Sequence, residues 1–176
     1  GFKAEGIATG YVVRDHEAPS GVALIMVDQR GANYIAVAIG ANGHLSPADV
    51  DRAARVISSA DALVLQLETP LETVGHALRL ARKAGVRTIL NPAPARQLDS
   101  ALLRLVEVLV PNEHEVSLIS GGSGLNIGDA AHRLLGMGAK TVVVTLGEEG
   151  ALLVTSAGEQ RVPGFPVRPV DTTAAG

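Results

Sequence analysis

Cysteine is absent from the 176 residues, which excludes disulfides, thiolate catalysis and cysteine-ligated zinc together and fits a cytoplasmic location. Aromatic residues are nearly absent too. With 2% aromatic and no tryptophan against 47% hydrophobic, the core must be aliphatic, built from Val, Leu, Ile and Ala. Such a core suits a buried parallel sheet flanked by helices. There is no basic excess: 15 Lys and Arg stand against 18 Asp and Glu, a net charge of −3. This argues against a nucleic-acid partner or an anionic membrane surface, which need clustered cations. No apolar run approaches the ~20 residues that span a bilayer, and no basic segment followed by an apolar one opens the chain. Internal repeats, low-complexity segments and a Gly-Lys-Ser/Thr phosphate loop are also missing. Gly1-Phe2-Lys3 reads as an interior stretch or an engineered boundary.

What is present alternates. The length allows a sizeable core, with one domain as the default. Ile7 to Val13, Val22 to Val27 and Tyr34 to Ile39 read as strands, with turn chemistry at Asp28-Gln29-Arg30-Gly31. This β-rich opening, residues 1–45, precedes an α/β core over residues 46–176. Ser46-Pro47 supplies an N-cap and a first-turn proline for a helix from Pro47 to about Ser59. Ala62 to Leu67 reads as a strand, followed by Thr69-Pro70-Leu71-Glu72 as a capping box. Leu71, Val74, Leu78 and Ala81 share one helical face, and Gly85 stops that helix.

The cycle continues. Val86 to Leu90 is a predicted strand, Asn91 to Ala95 a proline-rich turn, Ser100 to Arg104 a short helix and Val106 to Val110 a strand. Helices are predicted over Glu113 to Ser120 and Asp129 to Met137, separated by Gly121 to Gly124. Thr141 to Thr145 is a strongly β-branched strand, and Ala151 to Val154 with Gln160 to Val162 suggest a closing antiparallel pair. Alternating strand and helix mark parallel βαβ units with right-handed crossovers. Ligands in open parallel sheets bind beyond the carboxyl ends of the strands. Those positions hold Gln66-Leu67-Glu68, Asn91-Pro92, Pro111-Asn112-Glu113-His114-Glu115, Thr145-Leu146-Gly147 and Asp171-Thr172-Thr173.

The last stretch, Val170 to Gly176, reads as a phosphate cradle, because small residues let backbone N–H groups converge on an anion. A frayed small-residue tail explains the same composition. Glu68 ends a strand and can accept hydrogen bonds from sugar hydroxyls, or be stabilised by the helix N-terminus two residues on. Asn112 can cap a helix, with Glu113 and Glu115 on a solvated face. Thr145-Leu146-Gly147-Glu148-Glu149-Gly150 allows backbone close to a ligand, or serves as a turn between strands. Asp171 can bond its own backbone in a turn. The histidines have no metal-ligand spacing and read as surface residues.

In the motifs Ser20 to Ile25, Gly40-Ala41-Asn42, Gln66-Leu67-Glu68, Asn91 to Ala95, Pro111 to Glu115, Thr145 to Gly147 and Val170 to Thr173, the chain resembles the ribokinase group of the PfkB carbohydrate kinase family. The resemblance covers almost the whole chain. It implies a three-layer ribokinase-like α/β fold with a small β-rich lid, and ATP-dependent phosphorylation of D-ribose to D-ribose 5-phosphate. It assigns Glu68 to the sugar, and Asn112 and Glu115 to the nucleotide phosphates and hydrated Mg²⁺, with Glu115 acting through water. Thr145, Leu146, Gly147, Glu148, Glu149, Gly150 and Gly176 are implied nucleotide contacts. Asp171 and Thr173 are implied K⁺ ligands, and Ala174, Ala175 and Gly176 the anion hole. Val22 to Ile39 resembles the lid through which ribokinases form homodimers.

The family's catalytic base would follow Gly176, so a polypeptide ending there is expected to lack significant kinase activity. Two other readings stay open. One is a PfkB kinase for fructose, a nucleoside or a modified sugar; Gln66-Leu67-Glu68 and Gly40-Ala41-Asn42 favour ribose. The other is a non-catalytic sugar or nucleotide binding module.

Overall fold

A computed structural model of the chain describes residues 1–27, 33–122 and 124–167. The expected turn at Asp28 to Gly31 and the expected sites at Asp171, Thr173, Ala174, Ala175 and Gly176 therefore lie outside the described residues.

Two sheets form. The first is an antiparallel hairpin of β1 (Val22–Val27) and β2 (Asn33–Ala38), in register from Val22 opposite Ala38 to Val27 opposite Asn33. Val22, Leu24 and Met26 are exposed on one face of β1, and Ile25 and Val27 on the other. The hairpin's strands pack chiefly on each other. Its two stems meet where Ala41 N donates to Pro19 O at 2.9 Å. Gly40 sits there at φ 52°, and a Cβ on it would lie 2.4 Å from the Pro19 carbonyl oxygen, so the crossing requires glycine.

The second sheet has six strands in sequence order: β3 (Ala62–Leu65), β4 (Arg87–Leu90), β5 (Val108–Leu109), β6 (Thr141–Thr145), β7 (Ala151–Thr155) and β8 (Gly158–Val162). β3 to β6 are parallel; β7 and β8 add to the β6 edge antiparallel. The helices are α1 (Pro47–Arg52), α2 (Ala54–Ser58), α3 (Leu71–Lys83), α4 (Ser100–Leu103), α5 (Glu113–Ser120) and α6 (Ile127–Met137). The parallel strands always step the same way across the sheet, so right-handed crossovers bring α3, α4 and the α5–α6 pair to one face. That face is the core. Val74 and Leu78 of α3, Leu103 of α4, Val116 and Ile119 of α5 and Leu134 of α6 cluster with Leu90, Val142, Val144, Leu152 and Val154 of the strands. Alternate strand residues, Ile89, Val143 and Leu153, are half-buried on the opposite face.

The core is aliphatic as composition requires, and all four aromatic residues, Phe2, Tyr11, Tyr34 and Phe165, are exposed. Local signals explain several element ends. Ser46 and Asp49 form a reciprocal capping box at α1, with Pro47 in its first turn, and Gly85 takes φ 75° just past α3.

Some expectations fail for physical reasons. Ile7 to Val13 is irregular, with a turn at Gly10 and Tyr11, instead of a strand, since no strand among the described residues pairs with it. The helix from Pro47 breaks at Ala53, where the amide bonds Val50 O three residues back and the ladder tightens before α2 begins. Thr69 to Glu72 is no capping box: Pro70 is the residue before α3 and provides no side-chain cap. The strand expected to reach Leu67 ends at Leu65, because Leu67 N turns to Ala93 O at 2.8 Å.

Candidate active site

Because β3 to β6 are parallel, the segments that follow them emerge on one rim. Backbone bonds stitch that rim together. Asn91 N donates to Leu65 O (2.9 Å), Val110 N to Leu90 O (2.8 Å) and Thr145 N to Pro111 O (2.9 Å), and Asn112 bridges to Thr145. Glu68, Asn112 and Thr145 are thus brought to the same side of the sheet.

Glu68 follows the fully buried Leu67 and is itself half-buried. Among the described residues its carboxylate has no hydrogen-bond or ion-pair partner, and α3 begins after Pro70 with no side-chain cap. Glu68 is thus not a side-chain cap of α3. Next in sequence, Thr69 lines a cleft of ≈ 260 Å³ with Tyr11, Val12, Val13, Asp15, Asn42 and Asp49, so the segment after Gln66-Leu67-Glu68 meets the Gly40-Ala41-Asn42 motif there.

Acidic groups in that cleft are held ionised by donors. Two backbone amides, Glu17 and Ala18 (2.7 and 2.9 Å), and then His44 Nδ1 (2.7 Å) hold the Asp15 carboxyl below its usual value. The Ser46 hydroxyl and then its amide do the same for Asp49, with a smaller contribution from Arg52.

At the other end of the rim the chemistry differs. Asn112 Oδ1 accepts from Glu115 N at 2.8 Å while Glu115 Oε2 accepts from Asn112 N at 2.8 Å, a complete capping box for α5. Capping by Asn112 is therefore real, but Glu115 does not lie on a solvated face. It is buried, at 7% exposure, and one carboxylate oxygen is committed to the backbone. Asn112, Glu113 and His114 are exposed.

Thr145 is exposed, and Leu146 is buried with its amide bonded to Gly150 O at 2.8 Å. Gly147 to Glu149 form a 3₁₀ turn whose Glu148 and Glu149 side chains are exposed, and Glu149 pairs with Arg161 at 3.1 Å. The two glycines of this loop differ. Gly147, at φ 55°, faces open space, whereas a Cβ on Gly150, at φ 97°, would lie 2.1 Å from Val162 O. Gly150 is required by the chain beside it, and only Gly147 is open toward a ligand.

Sequence reasoning passed over Arg96, which reaches back to the rim and donates to Leu67 O at 3.1 Å. Its only signal is an arginine in an otherwise apolar, proline-rich turn; a partner 29 positions away is not written there. Among the described residues no group of three or more His, Asp or Glu side chains could cage a metal ion, and no helix is long and apolar enough to cross a membrane.

Residues 1–176 match the pfkB family carbohydrate kinase. The chain belongs to the pfkB family. This pfkB chain is 42% identical to the ribokinase of Staphylococcus aureus (strain COL) over 99% of its length and 59% of that relative. It is 43% identical to the deoxyribokinase of Salmonella typhi over 97% of its length and 57% of that relative. Among solved structures, Sa239 superposes with a TM-score of 0.90 at 41% identity, covering 99% of this chain and 58% of the other. Ribokinase of Arabidopsis thaliana, solved with ribose and ATP, gives 0.78 at 28% identity over 90% of this chain and 53% of that one. The fold is thus the ribokinase-like α/β fold, and the chain spans less than 60% of the curated relatives named here.

Proposed function

We propose that the protein carrying this chain is an ATP-dependent ribokinase that phosphorylates the primary hydroxyl of D-ribose. The observation that carries the reading is Glu68: a half-buried carboxylate on the strand-end rim, free of protein partners among the described residues, next in sequence to a residue, Thr69, that lines a cleft. A carboxylate in that setting accepts hydrogen bonds from sugar hydroxyls strongly, because charge-assisted bonds are about twice as strong as neutral ones. The rim also carries Asn112 and the Thr145 to Gly150 loop, two and three strands away in the sheet order, where a nucleotide would lie across from the sugar.

Phosphoryl transfer needs mostly positioning and charge stabilisation. Glu68 orients the sugar; the Thr145, Leu146 and Gly147 backbone, with Glu148, Glu149 and Gly150 in the same loop, borders the nucleotide. Asn112 faces the phosphates, and Glu115 fixes Asn112 through the capping box. Glu115, with one carboxylate oxygen spent on the Asn112 amide, would hold Mg²⁺ through water with the other. Bound Mg²⁺ would offset the phosphate charge. K⁺ at Asp171 and Thr173 and an anion hole at Ala174, Ala175 and Gly176 remain part of the proposal, as do a cytoplasmic location and the division into a lid region, 1–45, and a core, 46–176. The exposed apolar residues Leu24, Ile25, Met26, Tyr34, Ile35 and Val37 support homodimerisation through the hairpin.

One observation favours a second reading: identity to a deoxyribokinase, 43%, is as high as that to a ribokinase, 42%, so 2-deoxyribose is a competing acceptor. A coupled ADP-release assay on the natural full-length polypeptide with D-ribose, 2-deoxyribose, fructose and a nucleoside decides. The highest kcat/KM is expected with D-ribose. A preference for 2-deoxyribose would establish the second reading, and no turnover with any sugar would leave a binding module.

A further inference from the structure

We propose that Arg96 is a positioning residue for Glu68, acting through the peptide that joins Leu67 to it; the inference rests on the reading of Glu68 as a sugar contact. Arg96 lies just past the proline-rich turn after β4, and its Nη2 donates to Leu67 O at 3.1 Å. The same turn accepts from Leu67 N through Ala93 O at 2.8 Å. Leu67 is therefore held on both sides of its Cα by one loop, while its side chain is fully buried in the core. A peptide unit is planar, so the Leu67 carbonyl and the Glu68 N–H share one plane. Fixing the carbonyl fixes the plane from which the Glu68 Cα departs.

That matters because nothing else among the described residues orients Glu68. β3 has ended at Leu65, α3 starts only at Leu71, and the carboxylate has no protein partner among the described residues. Arg96 is half-buried and has no carboxylate within ion-pair distance among the described residues. Its bond to Leu67 O is thus not a by-product of a salt bridge. A guanidinium donating to a carbonyl is a charge-assisted bond, and removing it would let the peptide plane rotate.

The test uses the natural full-length polypeptide with Arg96→Ala, Arg96→Gln and Glu68→Ala, singly and combined. Ribose binding is read by calorimetry, and KM by ADP release. Arg96→Ala is expected to weaken ribose by about tenfold with the KM for ATP unchanged. Arg96→Gln keeps an N–H donor and is expected to recover most of that loss. In the Glu68→Ala background Arg96→Ala is expected to add nothing, since its effect passes through Glu68. Should Arg96→Ala not fold, Arg96→Met keeps the aliphatic stem without the donor and carries the same expectation. If Glu68→Ala weakens ribose but the Arg96 loss adds to it in full, or if Arg96→Gln is as poor as Arg96→Ala, the positioning role is overturned while the sugar reading stands. Unchanged ribose binding in Glu68→Ala overturns both.

Discussion

The two ends of the strand-end rim hold their carboxylates in opposite ways. At β5 and β6, Glu115 is buried and bonded to the backbone amide of Asn112. At β3, Glu68 is half-buried with no protein partner among the described residues. A carboxylate whose bonding is met within the chain contributes to stability, and one left open on a rigid rim is available to a ligand. The contrast separates a scaffold end from a recognition end, even though both sit in family motifs and read alike as sequence.

The largest expected effect tests the scaffold end. Gly150→Ala forces a Cβ against Val162 O at a backbone angle that L residues rarely adopt, and should cost about 3 kcal/mol of stability, read by denaturant unfolding. An unaltered midpoint would mean that the Thr145 to Gly150 loop is not tied to the β8 exit. Next, Glu68→Ala should lower kcat/KM for ribose roughly 30-fold, about 2 kcal/mol, with the melting temperature unchanged. Glu115→Ala should lose about 1–2 kcal/mol of stability and weaken Mg²⁺-ATP, with the ribose KM unmoved. A matching change in both variants would erase the distinction between the two ends. Gly147→Ala, facing open space at φ 55°, should cost only about 1 kcal/mol.

The smallest effect is acidic. The folded carboxyls of Asp15 and Asp49 titrate below the unfolded value of 3.8. Their contribution is therefore present above pH 3.8 and lost as pH falls through their lowered values. Asp49→Asn should lose that contribution at neutrality, where the parent carboxyl is charged, and converge with the parent as pH falls below 3.8. A variant that matches the parent at neutrality, or whose deficit persists undiminished in strong acid, would contradict the assignment.

Much of the scaffold is legible because short-range chemistry writes it. The bounds of α5, Glu113 to Ser120, follow from Asn112 and Glu115 at capping spacing and from Gly121 in the left-handed region. Thr141 to Thr145 follows from β-branching. What stayed hidden depends on partners distant in sequence. Ile7 to Val13 has strand composition but no pairing strand among the described residues, and the break at Ala53 carries no glycine or proline to mark it. The motifs at Glu68 and Asn112 could be read, but not that one carboxylate is satisfied and the other open. Nor could the bond from Arg96 to Leu67 O be read, since both depend on how the loops cross in space.

The most direct test is a crystal structure of the natural full-length polypeptide with D-ribose and a non-hydrolysable ATP analogue. The account predicts a sugar hydroxyl within about 2.7 Å of the Glu68 carboxylate and the nucleotide along Thr145 to Gly150, on the same rim. A sugar bound away from Glu68, or a nucleotide on another face of the sheet, would contradict it.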